Sequence, residues 1–500
     1  MSHNFIQDAL FDAKSVAQLD RTAIDSHGVP GIVLMKRAGR SALRELLDAF
    51  GVPTLLTIFC GSGNNAGDGY IVAALAAAKN IPVEIVELSN KLSADASEAK
   101  QFAQQAGVGF VDFDQATEVT SGVIVDGLLG TGFDGDIRQP YIDAIQLINT
   151  SGMPVLALDI PSGLHADTGH IADVAVNADL TVTFIGAKQG LFSAQGPVVC
   201  GDIIYDSLDV PEQVFEQVPA TATLLDLFEL MDCLPQLSID GHKNLRGHAM
   251  VIGGDQGFGG AAILAAEACL QIGAGVTSLA TCPEHIAPML VRQPEVMACP
   301  VVSGQELEPL LSRPNVLVVG PGLGRSPWSE QLLQKAVASG LPIVLDADGL
   351  NILADGRVVP NPDGSQWVLT PHAGEAARLL GLSIAEVQAD RYRAVRLLQE
   401  KYSAVVLLKG PGTLIAGPGK VTQVCTYGNP AMATAGMGDI LSGLIGGLIA
   451  QGCDMQTATE LGCCLHGSAA DLAVQEQGPR GLVASDLLPR LRSLLNQSYL

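Results

Sequence analysis

Short apolar runs, each closed by Gly, Asp or Pro, recur along the whole chain. Between residues 54 and 188 they read TLLTIFCG, PVEIVEL, GVIVDGLLG, PVLALDIPSG and LTVTFIGAK, separated by Ala-rich or amphipathic stretches. Continuous apolar runs bounded by turn residues are buried strands, and the stretches between them have helical spacing. The alternation predicts βαβ units and a largely parallel sheet. From Pro211 to Asp240 the rhythm breaks into polar residues, prolines and one short apolar helix, after which HAMVIGGD opens a second series. That series continues through GVTSLAT, VLVVGPGLG, LPIVLDADGL, WVLTPH and AVVLLKGPGT. The expected division is a first α/β domain over 1–220 and a second over 235–500. The two halves share no period, so they are not a duplication.

Composition narrows the class. A chain of 500 residues exceeds what one core usually serves. Mean hydropathy is +0.31, yet no apolar run reaches the ~20 residues a bilayer span needs. The start, MSHNFIQDALFDAKSV, has no basic segment followed by an apolar core, so a cytoplasmic protein without membrane partners is expected. A net charge of -24 would repel a phosphate backbone, which argues against nucleic acid. Anion sites must then come from backbone amides and a few placed cations, and 56 glycines suit that need. The ten cysteines lack metal-like spacing; buried free thiols are expected.

Candidate chemistry gathers at strand ends. After TLLTIFC the chain reads Gly61-Ser62-Gly63-Asn64-Asn65-Ala66-Gly67-Asp68-Gly69, a Gly-rich turn before a helical run from Tyr70 to about Lys79. Such a turn aims backbone N–H groups at a phosphate. Asp126 ends another strand, with Gly130-Thr131-Gly132 just beyond, and Asp159 and Ser162 end a third. Carboxyl ends of parallel strands are where ligands bind in open α/β sheets.

The set NNAGDG, VDGLLGTG and LDIPSGL, in that order over roughly the first 210 residues, resembles the N-terminal domain of the bifunctional NAD(P)H-hydrate repair enzymes. The resemblance implies a Rossmann-like three-layer αβα domain with epimerase activity. It also implies that Asn64, Asn65, Ala66, Gly67 and Asp68, with Gly130, Thr131, Gly132, Phe133, Asp134, Gly135 and Asp136, hold the hydrated dinucleotide. Asp159 would face the damaged ring as the catalytic carboxylate, and Asn65, Asp126 and Ser162 would bind K+ through oxygen. Ala66 stands where the family usually has a second glycine.

In the second half, Asn429 to Asp439 reads NPAMATAGMGD and leads into the apolar helical run ILSGLIGGLIA. Glycines open the helix start toward a phosphate, and Asp439 in the first turn is placed to take a proton from a hydroxyl. This resembles the anion hole and base of the ribokinase-like fold. Lys409-Gly410-Pro411-Gly412-Thr413 follows AVVLL as a Gly loop with one cation. Thr370-Pro371-His372-Ala373-Gly374-Glu375 carries His372 where kinases of this fold tend to have Asn, a replacement shown by the dehydratase branch. HKNLRGHAMVIGGD from His242, GGAAILAAEACLQIGAG from Gly259 and GPGLG from Gly320 also match that branch, over about 235–500.

The resemblance implies that Ala262, Gly322, Gly324, His372 and Asp439 line a hydrated-nucleotide site. Lys409, Gly410, Pro411, Gly412, Thr413 and Gly438 would hold an adenine nucleotide. Glu375 would help place Mg2+. The implied chemistry is kinase chemistry used for elimination: ADP, as co-substrate, phosphorylates the C6 hydroxyl of the (S)-hydrate with Asp439 as base, and phosphate then departs to leave NAD(P)H and AMP. Small molecules and a second copy of the chain, as a homo-oligomer, are the expected partners. A phosphotransferase of the vitamin-kinase kind and an adenylate sensor without turnover are the alternatives. His372 and the fused N-terminal pocket count against the first, and Asp439 against the second.

Overall fold

The computed structural model describes residues 8–89, 91–113, 118–133, 135–235, 243–360 and 362–496. The chain divides into two compact units, Met1–Thr223 and Leu224–Leu500.

In the first unit the apolar runs become the strands β1 (Leu56–Cys60), β2 (Val83–Glu87), β3 (Gly109–Asp112), β4 (Val123–Gly127), β5 (Val155–Leu158), β6 (Leu180–Phe184) and β7 (Asp202–Asp206). They form one sheet in the order β3-β2-β1-β4-β5-β6-β7, parallel throughout. Both faces are covered, as the continuous apolar runs require. Ile58, Cys60, Val123 and Val125 enter one core with the helices Gly31–Phe50 and Asn64–Ala78. Phe59 and Ile124 point the other way, into a core with the helix Tyr141–Thr150. The strand order reverses between β1 and β4, and there the outgoing loops part and leave a crevice.

In the second unit β8 (His248–Ile252), β9 (Val276–Thr281), β10 (Met297–Pro300), β11 (Val316–Val319), β12 (Ile343–Leu345), β13 (Trp367–Leu369), β14 (Val405–Leu408), β15 (Thr413–Ala416) and β16 (Thr422–Cys425) stand in the order β10-β9-β8-β11-β12-β13-β14-β15-β16. Pairing is parallel from β10 to β14 and antiparallel from there to β16. The Gly-rich helix Met437–Ala450 packs against the helix Gly259–Gln271 with no room for side chains between them. A Cβ on Gly443 would lie 2.3 Å from the Ala265 carbonyl oxygen. That close approach seats the start of the Met437–Ala450 helix over the carboxyl ends of the strands.

Three points depart from the sequence reading. The helix expected from Tyr70 begins at Asn64, so Asn64 to Gly69 are helical and not a turn. Burial explains it: the Ala-rich segment is enclosed on nearly all sides, and helical pairing satisfies its backbone better than a loop would. The segment after Pro211 holds two short helices, Glu212–Gln217 and Leu227–Met231, and a strand, Ala222–Leu224, where one helix was expected. Residues 236–240 of that stretch, and His242, lie outside the described residues. Seven of the cysteines are buried, but Cys233 is exposed and Cys299 and Cys453 are half-buried. Among the described residues no helix is long and apolar enough to cross a membrane, and no cluster of His, Cys, Asp and Glu could by itself cage a metal.

Candidate active sites

At the reversal between β1 and β4 the helix Asn64–Ala78 starts directly after β1. Gly61 passes so close to the loop after β4 that a Cβ would sit 2.0 Å from the Leu128 carbonyl oxygen. Gly63, at φ 85°, supplies the left-handed turn that caps the helix. A cavity of about 740 Å3 opens here. Asn64, Asn65, Asp68, Gly130 to Phe133, Asp136 and Asp159 line it together, with Arg138 among them. Ala66 and Gly67 do not: both are buried behind the helix start, and a Cβ on Gly67 would strike Met35. Gly135 is exposed on the loop beyond and does not line the cavity; Asp134 lies outside the described residues.

Asp126 and Ser162 sit behind the lining. Ser162 donates to Asp126 through its backbone N–H at 2.8 Å and through its hydroxyl at 2.6 Å. Burial pushes Asp126 up to about 6, against these hydrogen bonds. Asn65 donates through Nδ2 to the Leu129 carbonyl at 2.9 Å, and its Oδ1 is buried without a partner. A carboxylate, a hydroxyl and an orphaned amide oxygen in one buried knot are hard-cation donors.

Asp159 ends β5 with φ 67°, a conformation that costs a non-glycine residue of order 1 kcal/mol or more. The strain turns its carboxylate toward the cavity. Oδ1 accepts from the Phe184 N–H at 3.1 Å and from the Lys188 ammonium. Lys188 is 1% exposed and also donates to Thr183 Oγ1 at 3.1 Å and to the Phe184 carbonyl at 3.0 Å. Lys188 was not singled out in the sequence, although a lysine closing the apolar run LTVTFIGAK is a signal, because a buried ammonium needs a partner.

In the second unit the site is built around Asp346, at the end of β12 and 1% exposed. Lys409 Nζ donates to its Oδ1 at 2.8 Å, and the Ser442 hydroxyl donates to Oδ2. Burial would push Asp346 up, but the Lys409 charge and these hydrogen bonds outweigh it and hold the carboxyl below its usual range. Gly438, in the first turn of the Met437–Ala450 helix, sits on this pair: a Cβ there would be 3.3 Å from Lys409 Nζ. Asp439 follows, and burial, with the Asp346 and Asp348 charges reinforcing it and Lys409 opposing, pushes it up to about 7.

The Gly320 loop joins the same place. Gly324 donates its N–H to Asp348 at 3.0 Å. Gly322 passes the Phe258 carbonyl at a distance only glycine allows. Ala262 is fully buried, with its Cβ packed toward Gly253 and Gly254. His372 caps the helix Ala373–Leu380, its Nδ1 accepting from Gly374 N–H at 2.9 Å while the Glu375 carboxylate accepts from the His372 backbone N–H at 2.8 Å. Burial, then Lys409, hold the imidazole below its usual pKa, and burial pushes Glu375 up to about 7.

Lys409 to Thr413 forms the connection from β14 to antiparallel β15. Arg391, fully buried and unforeseen, fixes this loop by donating to the carbonyls of Leu408 at 3.1 Å and Gly412 at 3.3 Å. Gly320 tests the packing: at φ 127°, a Cβ would fall 1.8 Å from the Asp346 carbonyl oxygen. Gly320→Ala should therefore destabilise the second unit by about 3 kcal/mol or more, read as a lowered denaturant midpoint of its unfolding transition.

The second unit defines a protein of ribokinase-like fold. It is similar to a ribokinase-like superfamily protein of Enterococcus faecalis (TM-score 0.51, 26% identity, covering 55% of this chain and 96% of that one). Family models match both halves, one described as NAD(P)H-hydrate dehydratase over residues 249–492 and one as the N-terminus of YjeF-related proteins over 31–190. Over 97% of its length the chain is 44% identical to the bifunctional NAD(P)H-hydrate repair enzyme of Coxiella burnetii, covering 99% of that protein. It is 37% identical to that of Escherichia coli, over 98% of this chain and 95% of that one. The chain belongs to the family of bifunctional NAD(P)H-hydrate repair enzymes, which join an epimerase and a dehydratase in one polypeptide.

Proposed function

We propose that the first unit interconverts the R and S forms of hydrated NADH and NADPH, and that the second dehydrates the S form at the expense of ADP. In the first unit, inversion at the hydroxyl-bearing C6 passes through an electron-poor carbon, which a carboxylate beside it stabilises. Asp159 is that carboxylate, and Lys188 keeps it in place. Asn64, Asp68, Gly130 to Phe133 and Asp136 bind the dinucleotide, with Arg138 as the cation for its phosphates. Asn65, Asp126 and Ser162 fit K+, whose charge would offset the buried Asp126 and tie the helix start after β1 to the end of β4 and the loop after β5.

In the second unit Lys409 to Thr413 and Gly438 bind ADP, and Glu375 with Asp346 offers oxygens to the Mg2+ that accompanies it. Mg2+ held mainly by phosphate and water needs no protein cage. Asp439 removes the proton from the C6 hydroxyl, whose oxygen attacks the β-phosphorus of ADP; the bond to the bridging oxygen breaks and AMP leaves. The amides of the helix start and the Lys409 ammonium stabilise the charge on the transferring group. The lone pair of the ring nitrogen then expels phosphate, and loss of a C5 proton restores the reduced ring.

The observation that carries this reading is Asp439 in the first turn of a glycine-capped helix beside Lys409, with its pKa pushed up to about 7. A base works in its ionised form, so kcat/KM for dehydration should rise with pH through about 7 and then level. A profile that is flat or falls across neutral pH would remove Asp439 from the role.

A further inference from the structure

Helix Ala13–Asp25 buries Val16, Leu19 and Ala23 and places Asp20 on the wall of the cavity that holds Asp159. Asp20, Asp68, Asp159 and Lys188 thus face one another from four elements: this helix, the helix Asn64–Ala78, the end of β5, and the short strand Ala187–Lys188. Lys188 already pairs with Asp159, and Arg138, the other cation on the wall, is exposed, as is Asp136, so neither Asp20 nor Asp68 has a buried cation of its own. Where these four groups meet, three carboxyls share one buried ammonium, and at least one of Asp20 and Asp68 keeps a proton. Asp68 is the more retentive: burial, then the charges of Asp159 and Asp20, push it well above its usual range. Asp20 is pushed only to about 6, by burial first, with Lys188 pulling it down and Asp159 pushing it up. Its carboxyl has no hydrogen-bond or ion-pair partner among the described residues.

Resting on the epimerase reading above, we propose that Asp20 is the acid–base group of the inversion, donating a proton to the C6 hydroxyl while Asp159 faces the ring as the fixed anion. The proton moves from the Asp20 carboxyl to the hydroxyl oxygen. The C6–O bond breaks, its electron pair leaves with water, and the lone pair on N1 closes to N1=C6. Water then adds to the opposite face, the N1=C6 pair returns to nitrogen, and the surplus proton of the added water goes back to the carboxylate cluster and reloads Asp20. Nothing is oxidised or reduced and no proton is gained or lost overall.

The experiment uses the full chain and hydrated NADH without ADP, in oxygen-18 water, and follows both epimer inversion and label at C6 above the spontaneous rate. Wild type should gain one label with each inversion. Asp20→Asn should lose both signals by ~100-fold, Asp20→Glu should recover part of them, and dehydration of the S form by Asp20→Asn with ADP should stay near wild type. Inversion without label would overturn the proposal, because the C6–O bond would then stay intact. Near-normal inversion by Asp20→Asn beside an inactive Asp159→Ala would also overturn it, with the epimerase reading left standing. So would a loss in Asp20→Asn that comes with lost hydrate binding and no recovery in Asp20→Glu, the mark of a structural role. Wild type no faster than the spontaneous rate would remove the epimerase reading itself, and the role of Asp20 with it.

Discussion

Asp439→Asn should abolish dehydration while leaving adenine-nucleotide affinity within a few-fold of wild type. The amide keeps the shape of the carboxylate and cannot accept the proton of the C6 hydroxyl, so the rate loss is on the order of a hundredfold or more. Nucleotide affinity should survive because the groups proposed to grip ADP are separately built. Lys409 is anchored on Asp346 and the loop behind it is clamped by Arg391, neither through Asp439. Burial of Asp439 beside Asp346 and Asp348 makes the substitution mild for folding, since it removes one of three neighbouring carboxylates. Single-turnover measurements with the S form, and nucleotide binding by calorimetry, check the two halves of this expectation. Turnover close to wild type would take the base assignment away.

Asp159→Ala should abolish conversion of R to S and leave dehydration of the S form untouched. The carboxylate lies in the first unit, among Lys188 and the Phe184 N–H, whereas Asp346, Lys409, Ser442 and Asp439 all lie in the second unit with its own core. Sites without shared partners act independently. Given a mixture of epimers and ADP, the variant should recover the S share quickly and then slow to the spontaneous epimerisation rate. A side effect follows from the geometry: Lys188 would lose its counterion while buried, so Asp159→Asn is the gentler second variant, keeping an oxygen for Lys188 and for the Phe184 N–H.

What the sequence made legible follows burial. Most of the central parallel strands were readable because they are enclosed on both faces and so are largely apolar. Among the strands that escaped notice, Gly109–Asp112, Asp202–Asp206 and Met297–Pro300 are edge strands and are half-exposed. The glycine signal at Gly61 was readable because close backbone approach leaves no substitute, and those at Gly63 and Gly436 because each has a positive φ that favours glycine. Asn64 to Gly69 misled, because Asn, Asp and Gly are turn residues by local preference and only the surrounding core makes them helical. Asp346 and Asp20 were hidden for a different reason. Asp346 meets Lys409 and Ser442, 63 and 96 residues away, and Asp20 meets its neighbours only across the cavity; no local spacing encodes such meetings.

The most direct test of two complementary sites in one chain is recovery of NADH from an equilibrated mixture of its R and S hydrates. The full chain with ADP should restore the absorbance of the reduced nicotinamide to the full amplitude of the mixture, releasing one AMP and one phosphate for each NADH. Consumption of nucleotide with accumulation of a stable phosphate ester and no return of absorbance would contradict it and identify a kinase instead.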